Sequence, residues 1–184
     1  MQPSMKKIGA KDVYMTESSD YNGRNFSYNL IYVLWNFLLT MGIHIVDGRD
    51  FTEADARSDR PAFIFNDHAR RSLQMSVGSF KYWRDNLGDL VGFTGDLHIA
   101  LLRQESTNIC LAASPLGSRL FVSYIRLKSG TDVRAATAHI RKTVAAIDPS
   151  FPIDITFYDT IYNLQRALSP RNDTTHAHHI FLVC

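Results

Sequence analysis

The stretch that most constrains this chain runs from Leu120 to Tyr158. LFVSYIRL, residues 120–127, is rich in branched and aromatic side chains and reads as a strand. Ser129-Gly130 makes a turn, and Thr131 can cap a helix that Asp132 opens. Val133, Ala136, Ile140, Val144 and Ile147 then recur at three- and four-residue steps, while Arg134, Arg141 and Lys142 fall elsewhere. One face of that helix is expected to be buried, with Ile140, Val144 and Ile147 against a sheet. Asp148-Pro149 stops it, because proline cannot continue the hydrogen-bond ladder. Ile153, Ile155 and Phe157 next alternate with Asp154, Thr156 and Tyr158 as a strand with one face in the core. A βαβ unit is therefore predicted over 120–158.

A second unit of this kind lies earlier. NLIYV, residues 29–33, is β-rich, Trp35 to Met41 can make two helical turns, and IHIV, residues 43–46, is β-like before Gly48 ends it. Between the two units the pattern changes. Asp89-Leu90-Val91-Gly92-Phe93 and Ile109 to Ala112 are strand candidates, and Ser114-Pro115-Leu116-Gly117 is a turn. The expected fold class is α+β and two-lobed: a porter-like βαβ lobe from 28–60 and 118–168, with 61–117 inserted as a mostly β lobe. Residues 1–27 are expected as an N-terminal segment, partly disordered, and 169–184 as an irregular tail.

Composition narrows the function. The 184 residues are 45% hydrophobic and 21% charged, as in folded soluble domains. Twenty basic against 18 acidic residues leave a net charge of +2, with no run of one sign to track a phosphate backbone, so no nucleic-acid partner is expected. Cys110 and Cys184 form no CxxC and are too few for a disulfide framework. The N-terminal MQPSMKKIGAKDVYMTESSD has no apolar stretch behind its lysines, so no signal peptide is expected. The longest apolar run, Leu30 to Ile43, is interrupted by Asn36 and Thr40 and is short of the roughly 20 residues a membrane span needs.

Two polar knots could carry chemistry. Gly48-Arg49-Asp50 and Asn66-Asp67-His68 offer carboxylates, a guanidinium and an imidazole. They can also be punctuation: Gly48 turning the chain, Arg49 and Asp50 pairing at a strand end, Asn66 capping a helix through Ala69, Arg70, Arg71 and Leu73. Ala69 and Leu73 are expected to face inward and the arginines outward. No G-x-S-x-G context surrounds a nucleophile. Asp96 and His98 are two apart, so on a strand they share a face and could act as an acid/base pair or two metal ligands. Gly92-x-x-Gly95 is only a fragment of a phosphate loop, without the lysine that completes one. His176, His178 and His179 in THAHH could chelate a metal, but they follow Pro170 in a stretch of poor periodicity, where adventitious binding is the better reading. No catalytic residue, cofactor or metal site is expected. Gly48, Arg49, Asp50, Asn66, Gly92, Asp96 and Pro149 are expected as structural signatures.

Five segments in order carry a family resemblance: GIHIVDGRDFTEAD (42–55), AFIFNDHARRSL (62–73), DLVGFTGDLH (89–98), FVSYIRLKSGTD (121–132) and HIRKTVAAIDPSFPIDITFYD (139–159). Together, over about residues 28–165, they resemble the MacB-like periplasmic core domain of FtsX-type ABC transporter permeases. The resemblance implies a non-enzymatic extracytoplasmic domain, on the periplasmic side of the bacterial inner membrane, between two transmembrane helices of a permease. Its implied partners are the transmembrane part of that permease, a cytoplasmic ATPase subunit or domain, a periplasmic adaptor or envelope protein, and a second copy as a homodimer. The alternative is a small-molecule binding module or hydrolase with an inter-lobe cleft near Asp96 and His98. The family's return to the membrane is replaced here by YDTIYNLQRAL (158–168) and the tail that follows it.

Overall fold

The computed structural model describes residues 15–82, 86–95, 107–113, 122–150, 153–157 and 178–183. They fall into two compact units, one holding the described residues up to 113 and the other those from 122 onward. The architecture is α+β.

The first unit opens with a hairpin, β1 (Met15–Tyr21) against β2 (Arg24–Val33). Its tight turn is Asn22-Gly23, with φ of 53° and 77°, and Asp20 Oδ1 accepts a hydrogen bond from Gly23 N at 2.9 Å. That is the Asn-Gly chemistry which the twist of paired strands favours. The hairpin corrects the expectation for 1–27, since residues 15–27 belong to the sheet. There follow α1 (Phe37–Met41), β3 (Ile45–Gly48), a single 3₁₀ turn at Asp55–Arg57, β4 (Ala62–Asn66) and α2 (Asp67–Leu73). Strands β5 (Gly78–Tyr82), β6 (Asn86–Thr94) and β7 (Ile109–Ala113) complete the unit.

These strands form one seven-stranded mixed sheet in the order β1-β2-β7-β4-β6-β3, with β5 also paired to β6. β2 runs parallel to β7 and β4 parallel to β6, whereas β4 and β7 are antiparallel. Residues 28–60 and 61–113 therefore share one sheet, and the lobe boundary expected at 60/61 is not a boundary. Both faces of β4 are covered, which is why Ala62, Phe63, Ile64, Phe65 and Asn66 are all buried. A continuous apolar run is how a strand covered on both faces reads.

The core is largely aromatic. Phe65 and Phe80 stack edge-on at 5.3 Å, Phe63 and Phe80 at 5.3 Å, and Tyr28 and Phe65 at 5.4 Å. Such tilted contacts contribute about 0.5–1.5 kcal/mol each beyond the area they bury. Phe26, Leu90, Phe93 and Cys110 close the same cluster.

The second unit contains β8 (Val122–Arg126), α3 (Val133–Ile147), β9 (Ile153–Phe157) and β10 (His178–Val183). The strand, helix and strand predicted over 120–158 are present, but β8 and β9 are not neighbours. β10 lies between them, parallel to both. The tail expected to be irregular thus supplies, over 178–183, the central strand. Helix α3 is capped by Asp132 rather than Thr131: its carboxylate accepts from Arg134 N at 2.9 Å and Ala135 N at 3.1 Å. Asp148 ends the helix ahead of Pro149, and its side chain accepts from Ser150 N and Oγ. The burial expectation is not met, since no residue of α3 is buried. Ile140 and Val144 are half-buried, but Ile147 is 81% exposed. Periodicity gives the direction of an apolar face, not how far along the helix it stays covered.

Candidate functional site

The motif 42–55 is built around a contact between two backbones. β3 and β6 are antiparallel with Gly48 opposite Gly92, after a bulge between Ile45 and Asp47. Gly48 has φ of +77°, a left-handed conformation that costs an L side chain. A Cβ there would sit 2.4 Å from Val91 O and 2.7 Å from Gly92 Cα. One at Gly92 would sit 2.4 Å from Arg49 O. Neither position can hold a side chain while the strands stay this close. Arg49 N then donates to Val91 O at 2.9 Å and closes the approach.

Beyond this contact the chain is tied by Asp55. Arg49 NH1 and NH2 donate to the two Asp55 carboxylate oxygens at 2.7 and 2.9 Å, a forked pairing suited to guanidinium geometry. Asp55 also accepts from Thr52 N at 2.7 Å and Thr52 Oγ1 at 2.8 Å. The Arg49 bond, helped by those from Thr52 against some desolvation, holds the Asp55 carboxyl down at about 2. The expected Arg49–Asp50 pair is not formed by side chains. Arg49 NH1 reaches the Asp50 carbonyl oxygen at 3.0 Å, while the Asp50 carboxylate accepts from Phe51 N at 2.6 Å. Burial pushes the Asp50 carboxyl up, and the Phe51 bond offsets part of that. Phe51 is itself 5% exposed, so the turn delivers an apolar anchor into the core. Asp55 and Thr52 were not singled out in the sequence. The signal for them is Thr52-x-x-Asp55, which has the spacing of a reciprocal helix-start cap.

In the second knot, too, polar side chains are tied to the backbone and to one another. Asn66 Oδ1 accepts from Ala69 N at 3.3 Å, the cap expected for α2, and from Ile109 N at 3.0 Å. Its Nδ2 donates to Thr107 O at 3.0 Å. One buried amide thus joins the start of α2 to the start of β7. Asp67 accepts from Arg70 Nε at 2.7 Å and pairs with Arg71 at 3.1 Å. Arg70 is not simply solvated: it stands 3.7 Å from Asp47 Oδ2 and lies 6.0 Å from the centre of the Phe93 ring. Ala69 is buried as expected, and Leu73 packs against the core from the edge.

The remaining candidates separate. Gly92 belongs to β6 and works with Gly48. Asp96, His98 and His176 lie outside the described residues, as does Cys184. His178 and His179 fall within β10. Cys110 is a buried free thiol whose pKa burial pushes up, which suits a core side chain and not a nucleophile. Among the described residues no group of three His, Cys, Asp or Glu side chains could hold a metal ion. No helix among them is long and apolar enough to cross a membrane.

No protein-family model matches the sequence, and no curated protein does. Solved structures do match. The periplasmic region of MacB from Actinobacillus actinomycetemcomitans superimposes with a TM-score of 0.54 at 11% identity, over 86% of this chain and 75% of that one. The fold is that of a MacB-like periplasmic domain. The extracellular domain of the noncanonic ABC-type transporter YknZ from Gram-positive bacteria is also similar, with a TM-score of 0.43 at 15% identity. That match covers 55% of this chain and 51% of the YknZ domain, so the chain spans about half its length. Within the MacB-like fold, the Gly48–Gly92 contact and the Arg49–Asp55 fork fix the path from β3 to the 3₁₀ turn.

Proposed function

We propose that the chain is the extracytoplasmic domain of an ABC transporter permease, acting without catalysis by passing ATP-driven movement of the permease to envelope partners. The observation that carries this reading is the MacB-like fold across 86% of the chain. The polar knots support it, because their carboxylates, guanidinium groups and amide are engaged with one another and with the backbone. On this reading the domain works beside the transmembrane part of its permease on the periplasmic side of the inner membrane. A cytoplasmic ATPase supplies the energy, and an adaptor or envelope protein receives the movement, with a second copy completing the permease.

The test is the reading frame and its product. The gene is expected to continue into transmembrane helices on both sides of this segment. The tagged full-length product is expected to co-purify with an ATPase from detergent. A frame with no membrane helix on either side, or turnover in a broad esterase and phosphatase screen that Arg49→Ala abolishes, would overturn the proposal.

A further inference from the structure

Helix α3 carries charges that its own stability does not explain. Between its capping aspartates it holds Arg134, His139, Arg141 and Lys142 and no acidic residue. Arg134 sits in the first turn, where the helix dipole disfavours a cation. No glutamate stands four residues away to pair with any of them. None of the four side chains makes an ion pair or a hydrogen bond among the described residues. The two carboxylates that flank the helix are engaged elsewhere, Asp132 with the N–H groups of Arg134 and Ala135 and Asp148 with Ser150 N and Oγ.

The placement of these cations is ordered. Arg134, Ala138, Arg141 and Ala145 follow one another at steps of four, three and four, which puts them on a single side of the helix, beside the half-buried stripe of Val133, Thr137, Ile140 and Val144. All four are exposed. Along this side runs an open depression of about 550 Å³ lined by Val133, Arg134, Thr137, Ala138 and Arg141. Two of its lining residues are arginines one heptad apart, about 10 Å along the axis at 1.5 Å per residue.

We infer that this side of α3 is a docking surface for an acidic amphipathic helix of another protein. Steps of four and three are the spacing at which one helix presents side chains to another, and alanines at two of the positions let a second backbone come close. An apolar side chain of the partner rests in the depression, and carboxylates flanking it pair with Arg134 and Arg141. A lipid surface fits less well, because the exposed side offers alanine where an interfacial helix presents large apolar or aromatic residues. This inference goes beyond the transporter reading and does not rest on it.

The test uses the full chain and a synthetic amphipathic helix with leucine at its a and d positions and glutamate at e and g, labelled for fluorescence anisotropy. The acidic peptide is expected to bind, more weakly as salt rises, and the same peptide with lysine for glutamate is not. Arg134→Glu with Arg141→Glu should weaken binding by at least about tenfold, whereas Thr143→Glu, at an exposed position on the opposite side of the helix, should leave it within about twofold. If the double Glu variant loses its circular dichroism, Arg134→Gln with Arg141→Gln decides in its place. Absence of acidic-peptide binding would overturn the inference, as would equal binding of the lysine peptide or indifference to the Arg134/Arg141 changes. So would binding to phosphatidylglycerol vesicles without binding to the peptide, which would assign the face to lipid.

Discussion

Gly23 and Gly48 share the same φ of +77°, yet nothing lies within 4 Å of a Cβ at Gly23, while one at Gly48 would meet Val91 O at 2.4 Å and Gly92 Cα at 2.7 Å. Alanine at the two positions therefore separates backbone strain from backbone contact. At Gly23 only the left-handed conformation is penalised, about 1–2 kcal/mol. At Gly48 the same penalty applies, and the opposing atoms are main chain, so β3 must move off β6. That movement loses the Arg49 N to Val91 O bond and loosens its neighbours, at about 1 kcal/mol for each bond. The expected totals are about 1–2 kcal/mol for Gly23→Ala and about 3 kcal/mol or more for Gly48→Ala, the latter a fall in Tm on the order of 10–20 °C for a unit of this size. Arg49→Ala should cost about 1 kcal/mol, since its side chain is half exposed and water screens the Asp55 pair. Urea melts followed by far-UV circular dichroism measure all three. Exposure alone predicts no difference between the two glycines, as both are on the surface. If Gly48→Ala is no worse than Gly23→Ala, the close approach of β3 and β6 is not what the motif protects.

Four further outcomes follow from the same geometry. The Asp55 carboxyl should titrate by NMR with a midpoint at about 2, and because this pKa lies below its unfolded value, its stabilisation is complete above about pH 4 and fades as pH falls from there toward 2. After discounting for the exposed Arg49 partner, the loss is about 1 kcal/mol, and Asp55→Asn should remove that part of the acid dependence. Asn66→Ala should cost about 2–3 kcal/mol in a urea melt, because it removes a helix cap and leaves the buried Ile109 N–H unpaired. Phe80→Ala should cost about 3–5 kcal/mol, since the ring is fully buried among Phe26, Tyr28, Phe63 and Phe65. Ile140→Asp should destabilise clearly more than Ile147→Asp, which should stay within about 0.5 kcal/mol of the parent; equal effects would contradict the observed exposure.

What was legible in the sequence is what a few neighbouring residues decide among themselves. Asn66 reads as a cap because its oxygen reaches a donor three residues on, and that bond is present. Its other two bonds, to Thr107 and Ile109, cross more than forty residues and leave no local trace. The Asn22-Gly23 turn is a local signal too, but it is read only by treating both flanking stretches as strands, and MTESSDY is too polar to suggest one unless its alternation is followed. Sheet order was out of reach for a different reason. β2 pairs β7 and β10 enters between β8 and β9 only after long intervening chain, so each strand's neighbour depends on closure of the whole. The case of Arg49 is intermediate. A partner at the next residue looked natural in the sequence, yet successive side chains leave an extended chain in opposite directions, and Asp50 turns its carboxylate back to Phe51 N. The guanidinium is met instead by a residue six positions on, brought round by the 3₁₀ turn that Thr52 and Asp55 begin together. The motif 42–55 is therefore a closed fitting of turn, fork and glycine contact, and its polar residues are held by that geometry.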